Sequence, residues 1–432
     1  MTIHVVQPGE TINSISDLYN IPVDRLILEN GIMNPDDLVI GQTIVIVPPE
    51  SVYIVQDGDT LESIAEQNGI TLMELLRNNP YLSDREYIYP GETLVIRYQT
   101  VKSRVIATSG YTFHYIDRGI LRKTLPFLSY LTIFNYRVTS EGNIISEDDT
   151  DIIQMAKEYG VAPMMFISTY TDQGKSSREV VYDFLRNPDA LNNLTDNLLF
   201  LLSSKGFYGI NIYIEQINMD NIDQIAENLS YVASVLHSEG YRVLATVTPE
   251  YDIEGPEVTF EPIDYSKLAV SVDAIVFTSY EWGTTYSYPS SFAPVNIIRD
   301  LLNYIDGMIP PEKIFIGLIT LGYDWQLPYI PGASGANAVT TESAIQIAAE
   351  HGAVIQFNEA AQAPYFFYTD EELDLHLIWF KDARSFDAIA GLVLEYGLQG
   401  LSIWTIMNFN AQMWFIINTE YEIEKILNIP VQ

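Results

Sequence analysis

From about Val105 onward, short apolar segments alternate with helical stretches along the chain. Eight of these segments read as strands: Arg104–Ser109, Leu128–Asn135, Ala162–Ser168, Gly209–Glu215, Arg242–Thr248, Ala274–Tyr280, Lys313–Leu318 and Gly400–Ile406. Strands that alternate with helices favour a parallel α/β fold, and eight strands over about 300 residues predict a (β/α)8, or TIM, barrel. Periodicity alone also allows an open doubly wound sheet. The sequence has no G-x-G-x-x-G after a strand and no Walker loop, so nothing favours a nucleotide-binding sheet.

The stretch between the seventh and eighth strands is too long for a single helix. Roughly Leu321–Asp387 holds a helical pattern at Ala338–Gly352, followed by short extended pieces. The pieces are Ala353–Asn358, Tyr365–Tyr368 and Leu375–Phe380. This pattern predicts a small α+β insertion after strand seven.

The fourth strand has two faces of different character. Ile210, Ile212 and Ile214 share one face, because side chains alternate along a strand, while Asn211, Tyr213 and Glu215 share the other. In a parallel barrel the aliphatic face packs on the outer helices and the polar face points into the barrel mouth. Enzymes with this fold keep their catalytic residues at the C-terminal ends of the strands, which is where Glu215 falls.

An internal repeat opens the chain. The segment His4–Ile15 recurs as Tyr53–Ile64, and each copy continues with helical stretches and a strand that begins at Gly41 or Gly91. Each copy reads strand, helix, helix, strand. Thr11 and Thr60 are good helix N-caps, and Thr71 with Glu74 predicts a capping box. We therefore expect two small βααβ modules ahead of the barrel.

Both repeats are similar to LysM domains over their whole length, with boundaries expected at 2–48 and 52–97. The short segment Pro48–Ser51 separates them, so the modules should sit close together. In that family two loops flank a shallow groove for N-acetylglucosamine polymers. The resemblance implies a groove formed by Gly9, Glu10, Thr11, Asn30 and Gly31 in the first copy, and by Gly58, Asp59, Thr60, Asn79, Pro80 and Tyr81 in the second. The alternative is that these loops only make turns and caps.

The fourth strand resembles the D-x-x-D-x-D-x-E signature of family 18 glycoside hydrolases. Glu215 matches the final Glu, while Tyr208, Asn211 and Tyr213 stand at the three Asp positions. Three further strings sharpen the resemblance to the spore-cortex lytic N-acetylglucosaminidases of that family: Gly322–Pro328, Ala361–Phe366 and Ile378–Ser385. The barrel domain is expected over 101–428, with the insertion at about 321–387.

The resemblance implies roles for the residues at the barrel mouth. Glu215 would protonate the departing glycosidic oxygen, and the acetamido oxygen of the substrate would attack the anomeric carbon. The family's orienting Asp is replaced by Tyr213, whose phenol can accept a hydrogen bond but carries no charge at neutral pH. Tyr280 matches a Tyr that donates to the acetamido oxygen. Glu281 follows it where the family has Asp, and its longer side chain is a candidate to compensate for Tyr213.

Aromatic residues complete the expected site. Trp404 matches the Trp of strand eight that forms the floor under the sugar at the cleavage point. Phe134 and Tyr136 end strand two and are expected to line the cleft, and Trp282 is a further candidate for substrate binding. For Trp282, as for Tyr323 and Trp325, packing in the core is an equally good interpretation.

Composition removes other classes of function. The formal net charge of −35 disfavours binding to nucleic acid and to anionic membranes. The absence of Cys excludes disulfides and thiol catalysis, and the 5 His residues are scattered without ligand spacing, so no metal site and no cofactor are predicted. The chain has no apolar run of membrane-spanning length, and its start lacks the pattern of a signal peptide, so we expect neither membrane insertion nor standard export.

Two hypotheses follow for the function. The first is a peptidoglycan-processing glycosidase of the spore cortex or cell wall, whose LysM pair docks on N-acetylglucosamine polymers while the barrel cleaves them. The second is a non-hydrolytic or weakly active glycan-binding protein of the spore wall or coat. The substitutions at Tyr213 and Glu281 motivate the second hypothesis, because a site that keeps Trp404 and Tyr280 could hold an N-acetylated sugar without cleaving it.

Overall fold

The large domain is a closed barrel. The computed structural model of the chain describes residues 1–85, 87–168, 187–214, 217–254, 257–278, 289–291, 293–330 and 334–428. Eight parallel strands pair side by side and close on themselves through the pairing of the first with both the second and the last. In barrel order they are β5 (Val105–Phe113), β6 (Tyr130–Val138), β8 (Ala162–Ser168), β9 (Gly209–Tyr213), β10 (Arg242–Val247), β13 (Ala274–Phe277), β14 (Ile314–Ile319) and β20 (Gly400–Trp404). The predicted barrel is confirmed.

Helices and short strands surround the barrel. The helices are α5 (Arg118–Thr124), α6 (Thr150–Glu158), α7 (Pro188–Lys205), α8 (Ile222–Ser238), α9 (Ser266–Ala269), α10 (Val295–Ile305), α12 (Ala383–Glu395) and α13 (Ala411–Glu420). The extra strands are β7 (Ile144–Ile145), the hairpin β11 (Tyr251–Glu254) with β12 (Glu257–Phe260), and β21 (Glu422–Ile423), which pairs with β5. Gly209 permits the close strand packing at β9, because a Cβ there would stand 2.1 Å from the carbonyl oxygen of Arg242.

The insertion between β14 and α12 is an α+β unit, as predicted. Its antiparallel sheet has the order β16 (Ala336–Thr340), β15 (Leu321–Leu327), β19 (Leu375–Trp379), β18 (Ala363–Thr369), β17 (Gln356–Asn358). Helix α11 (Thr341–Glu350) packs on this sheet and begins at Thr340, whose hydroxyl accepts the N–H of Ser343.

The two N-terminal modules have the predicted βααβ order. The first consists of β1 (Thr2–Val5), α1 (Ile12–Tyr19), α2 (Val23–Asn30) and β2 (Thr43–Ile46). The second consists of β3 (Pro49–Ile54), α3 (Leu61–Gln67), α4 (Leu72–Asn78) and β4 (Thr93–Tyr98). Thr11, Thr60 and Thr71 all cap their helices, and the capping box of Thr71 with Glu74 is present.

Both modules pack directly on helix α13 of the barrel. The side chain of Gln412 donates to the carbonyl oxygen of Thr43 at 2.6 Å in the first module. In the second module, Arg77 donates to Asn418 at 3.2 Å and to Glu422 at 3.0 Å. Arg77 is itself buried, so these polar contacts lie inside a continuous interface. The modules are therefore fixed against the barrel through their own helices and strands.

Candidate active site

Strand β9 directs its polar side chains into the barrel, as predicted. Asn211 is fully buried, and its amide nitrogen donates to the Tyr111 hydroxyl at 3.1 Å. The hydroxyl of Thr246 donates to the Asn211 carbonyl oxygen at 2.6 Å and lies 2.9 Å from the Tyr111 hydroxyl. Strands β9 and β10 are adjacent, whereas β5 lies on the opposite side of the barrel, so this closed triangle of hydrogen-bonded groups crosses the barrel interior.

This triangle is built from uncharged groups. Burial raises the pKa of the Tyr111 phenol, while its hydrogen bonds with Thr246, Asn211 and Ser402 act in the opposite direction. An ionised carboxylate in place of Asn211 would be buried between the uncharged side chains of Tyr111 and Thr246. Ionised groups are costly to bury without a partner, which accounts for an amide at this position.

Tyr213 lies one step nearer the barrel mouth, on the same face as Asn211. Its hydroxyl is 3.3 Å from the Thr248 hydroxyl, which in turn is 2.6 Å from the hydroxyl of Thr278. The Tyr213 ring stacks on Phe166, with ring centroids 6.1 Å apart. The side chain is half-buried, so it forms part of the wall of the mouth.

An aromatic group lies beside this wall. Trp404, at the end of β20, has its ring centroid 5.4 Å from that of Tyr111, 5.5 Å from Phe134 and 6.2 Å from Phe113. Phe134 also stacks on Phe166 at 5.0 Å. The structure therefore brings Trp404 and Phe134 together with Asn211 and Tyr213 at the C-terminal end of the barrel.

Four of the predicted site residues, Glu215, Tyr280, Glu281 and Trp282, lie outside the described residues. Their chain neighbours lie at the mouth: Tyr213 precedes Glu215 by two residues on β9. Thr278, which contacts Thr248, precedes Tyr280 by two residues. The assignments of these four residues therefore remain predictions.

The chain matches the family model for glycosyl hydrolases family 18 over residues 109–408, and the LysM domain model over residues 4–47 and 53–97. It belongs to family 18 of the glycosyl hydrolases. The barrel, and a Trp at the end of its last strand, agree with that membership.

Two solved structures and one curated relative resemble this family 18 enzyme over nearly its whole length. The spore cortex-lytic enzyme SleL of Bacillus cereus superposes with a TM-score of 0.81 at 27% identity, covering 99% of both chains. SleL of Bacillus megaterium QM B1551 gives 0.80 at 28% identity over 98% of both chains. The cortical fragment-lytic enzyme of Bacillus subtilis (strain 168) is 30% identical over 98% of this chain and 99% of its own length.

Tyr136 does not reach the cleft of this family 18 barrel. Its hydroxyl donates to Asp149 and accepts from Lys205 at 2.9 Å, and its ring is fully buried against Phe207. The cause is an irregularity in β6, where Phe134 and Asn135 together face one residue of β8. A bulge of this kind inserts one residue and reverses the alternation of side chains beyond it.

In each LysM module some of the predicted groove residues form an exposed turn before the first helix, and one Asn residue is buried. The carboxylate of this turn makes the same hydrogen bond in both copies: Glu10 accepts the N–H of Gln7 at 2.7 Å, and Asp59 accepts the N–H of Gln56 at 2.7 Å. Gly9 and Gly58 adopt φ of 85° and 86°, a conformation that favours glycine. Thr11 and Thr60 are occupied as N-caps.

The groove Asn residues are buried in both modules. Asn30 donates to the carbonyl oxygens of Leu26 and Val45 and accepts from the Val45 N–H, and Asn79 repeats this pattern with Leu75 and Val95. Their amides tie a helix to a strand in each module, and the sugar groove beside them remains a prediction. Gly31 faces Ala411 of the barrel, whereas Pro80 and Tyr81 form a single helical turn.

One group of carboxylates has the proximity of a metal site. Asp370, Glu372 and Asp374 lie at the tip of the β18–β19 hairpin, with ligand atoms within 4.8 Å of one another. Asp370 accepts the N–H groups of Glu372 and Asp374 and lies 3.3 Å from His376. The hydrogen bonds of a tight turn therefore explain why these carboxylates lie close together.

Several residues of the site were missed by the sequence analysis. They are Tyr111, Phe113, Phe166, Thr246, Thr248 and Thr278. The alternation of the predicted strands contained the signal for Phe166, Thr246, Thr248 and Thr278, which fall within those strands. Tyr111 and Phe113 lie beyond Ser109, where the first strand was predicted to end, whereas the strand continues to Phe113. What the strand pattern lacked was the relative register of neighbouring strands, which decides which of these side chains meet.

Proposed function

We propose that this family 18 glycosidase hydrolyses N-acetylglucosamine-containing glycosidic bonds in spore-cortex peptidoglycan. The similar proteins named for cortex lysis match both LysM modules and the barrel together, at 98% or more of this chain. Their names describe lytic enzymes, which favours hydrolysis over the hypothesis of a binding-only protein.

The observation that carries the catalytic assignment is the orientation of β9. Asn211 and Tyr213 point into the barrel, and Glu215 is the next position in the same alternation. We assign Glu215 as the acid that protonates the leaving glycosidic oxygen. The carboxylate left behind then takes a proton from the water that completes hydrolysis, so the acid is regenerated.

The attacking group in this proposal is the acetamido oxygen of the substrate, which forms a cyclic oxazolinium intermediate that water opens with net retention. The Tyr280 hydroxyl would donate to that oxygen. The phenol oxygen of Tyr213 would accept from the acetamido N–H and hold the group in line. Tyr111 and Thr246 fix Asn211 beneath this site and so keep β9 in position.

Trp404 supplies the surface on which the sugar rests. Its ring lies among Tyr111, Phe113 and Phe134, so the packing of these rings fixes its orientation. Aromatic rings bind the apolar faces of sugars through such contact without needing charge, which suits a protein with a net charge of −35.

Within this proposal the protein acts at the spore cortex or cell wall, where the LysM modules would dock on the glycan. No helix in the described part of the chain is long and apolar enough to cross a membrane. Because the modules pack on the barrel, docking would hold the barrel mouth at a fixed position relative to the bound strand.

The proposal is tested by replacing Glu215 with Gln. The amide cannot donate a proton as an acid does, so release of reducing ends from solubilised cortex fragments should fall by at least about 100-fold. Co-sedimentation with cortex fragments should be unchanged, because the change preserves shape and leaves the modules intact. Equal hydrolysis by the wild type and Glu215→Gln would remove Glu215 from the mechanism.

A further inference from the structure

The second LysM module exposes two aromatic side chains that neither the active site nor the predicted groove includes. Tyr87 is 70% exposed and Tyr89 is 61% exposed, and both belong to the loop that leads into β4. Single exposed aromatics need no explanation, but two in one short loop form a surface that a flat, partly apolar ligand fits.

The chain that leads to this loop runs along barrel helix α5. Arg77 donates to the carbonyl oxygen of Pro126, just beyond the C-terminal end of α5, at 3.3 Å. Further along, Asp84 pairs with Lys123 at 3.0 Å and lies 3.9 Å from the position of a Cβ on Gly119, the second residue of α5. The segment therefore passes from the C-terminal end of α5 to its N-terminal end.

The N-terminal end of α5 lies at the barrel mouth. Strand β5 ends at Phe113 on the C-terminal edge of the barrel, and only a short connection separates it from Arg118, where α5 begins. Asp84, at the first turns of α5, is thus at the height of the mouth, and the loop with Tyr87 and Tyr89 continues from there.

A third aromatic residue lies between that loop and the site. Tyr115, in the connection between β5 and α5, is 64% exposed, and its ring stacks on Phe113 at 5.3 Å with an interplanar angle of 24°. Phe113 contacts Phe134 at 4.9 Å and Trp404 at 6.2 Å. Tyr115 therefore extends the aromatic surface around Trp404 outward, on the side of the barrel that carries the second module.

We infer that Tyr87, Tyr89 and Tyr115 form an extension of the active-site cleft that binds the same N-acetylated glycan strand as the barrel. Consecutive Cα atoms are about 3.8 Å apart, so the Cα atoms of Tyr87 and Tyr115 are separated by no more than roughly 35 Å along the path through Asp84 and Gly119. One strand can cover that span. The inference rests on the proposed function, since its ligand is the glycan proposed as substrate.

The extension changes the role of the second module. In a flexible tether, a module raises the local concentration of substrate but does not choose which bond enters the site. A module fixed beside the mouth binds the strand at a set distance from the barrel mouth. Long strands should therefore bind more tightly than short oligosaccharides, and the difference should depend on the tyrosines.

The test compares the full-length protein with the double variant Tyr87→Ala/Tyr89→Ala, and every protein titrated also carries Glu215→Gln so that the ligand is bound without being cleaved. Affinities for long soluble cortex glycan strands and for chitotriose are measured by titration calorimetry. The double variant should bind long strands at least about fivefold more weakly, as truncation of aromatic contact residues commonly does. Its affinity for chitotriose should be unchanged, because a trisaccharide is too short to reach from the barrel mouth to the two tyrosines.

Phe200→Ala is the matched control, since Phe200 is an aromatic residue with 69% exposure on the outer helix α7. It should bind both ligands as the full-length protein with all three tyrosines does. Tyr115→Ala should reproduce the loss for long strands. Unchanged affinity of the double variant for long strands, or an equal loss for both ligands, overturns the inference. Cleavage is scored separately, so binding without hydrolysis by the wild type would count against the proposed function alone.

Discussion

Tyr213 shows how a single side chain shapes the chemistry of this site. The family pattern places an Asp two residues before the acid, where positive charge develops in the intermediate. Here the phenol contacts Thr248 and stacks on Phe166, so it is held by neighbours and fills the space between β8 and β10. The hydrogen-bond acceptor is kept, while the charge is not.

Tyr213→Asp should therefore raise turnover per folded molecule, by up to about 100-fold, because a preorganised charge is restored beside the intermediate. The same change leaves a cavity beside Phe166 and a partly buried carboxylate, which should destabilise the barrel by ~1–3 kcal/mol. Turnover and thermal unfolding are measured on the same sample. Tyr213→Phe, which keeps the ring, is the control and should show no gain. A folded Tyr213→Asp variant with unchanged or lower turnover would show that Tyr213 works productively.

At the scale of elements, the repeated sequence gives repeated contacts. Asn30 and Asn79 occur at the ends of α2 and α4, and each joins its helix to the following strand through three hydrogen bonds. The buried amide bonds both the N–H and the carbonyl oxygen of Val45 or Val95, as a neighbouring strand would do. This contact explains why a polar residue lies in the interior of so small a module.

Asn79→Ala should lower the free energy of unfolding of the second module by ~1–3 kcal/mol, because buried backbone groups of Leu75 and Val95 lose their partner. Asn68→Ala is the matched control: Asn68 lies in the same module and is half-buried, and its side chain donates to the carbonyl oxygen of Ile64 at 2.8 Å, a contact at the end of one helix. Urea unfolding followed by circular dichroism should show a clearly larger shift of the midpoint for Asn79→Ala. Equal shifts would argue against the anchoring role.

The elements themselves were predictable from sequence, while some side-chain directions were not. Alternation identified all eight barrel strands, and it placed Asn211 and Tyr213 on the inner face correctly. It misdirected Tyr136, because the bulge at Phe134 and Asn135 depends on pairing with β8. The contact of Tyr111 with Asn211 joins residues 100 positions apart, and local patterns contain no information on such distances.

At the scale of the whole molecule, the two LysM modules and the barrel share one interface. Glu29 of the first module accepts from the Tyr98 hydroxyl of the second at 2.8 Å and from Arg25 at 3.0 Å. Its other carboxyl oxygen is buried and has no hydrogen-bond partner among the described residues. Burial raises the pKa of Glu29 to about 7, against the lowering effect of Tyr98 and Arg25.

This pKa gives the junction a dependence on pH. Between about pH 4.5 and 7 the folded state holds a proton on Glu29 that the unfolded state has lost, so stability falls as pH rises through this range. The total effect is about 3 kcal/mol. Glu29→Gln should remove this pH dependence of stability and stabilise the protein at pH 8. Thermal unfolding of both proteins at pH 4.5 and pH 8 measures the difference, and identical pH profiles would contradict the prediction.

The contacts between the modules and α13 also set an order of events during synthesis. Arg77 and its partner Asn418 are separated by 341 residues, so the modules leave the ribosome long before the helix on which they pack. At typical elongation rates this interval is on the order of tens of seconds. Throughout that time the docking faces around Thr43 and Arg77 remain in water. The interface includes the polar side chains of Arg77 and Thr43, so water can form hydrogen bonds with part of these faces until their partner helix has been translated.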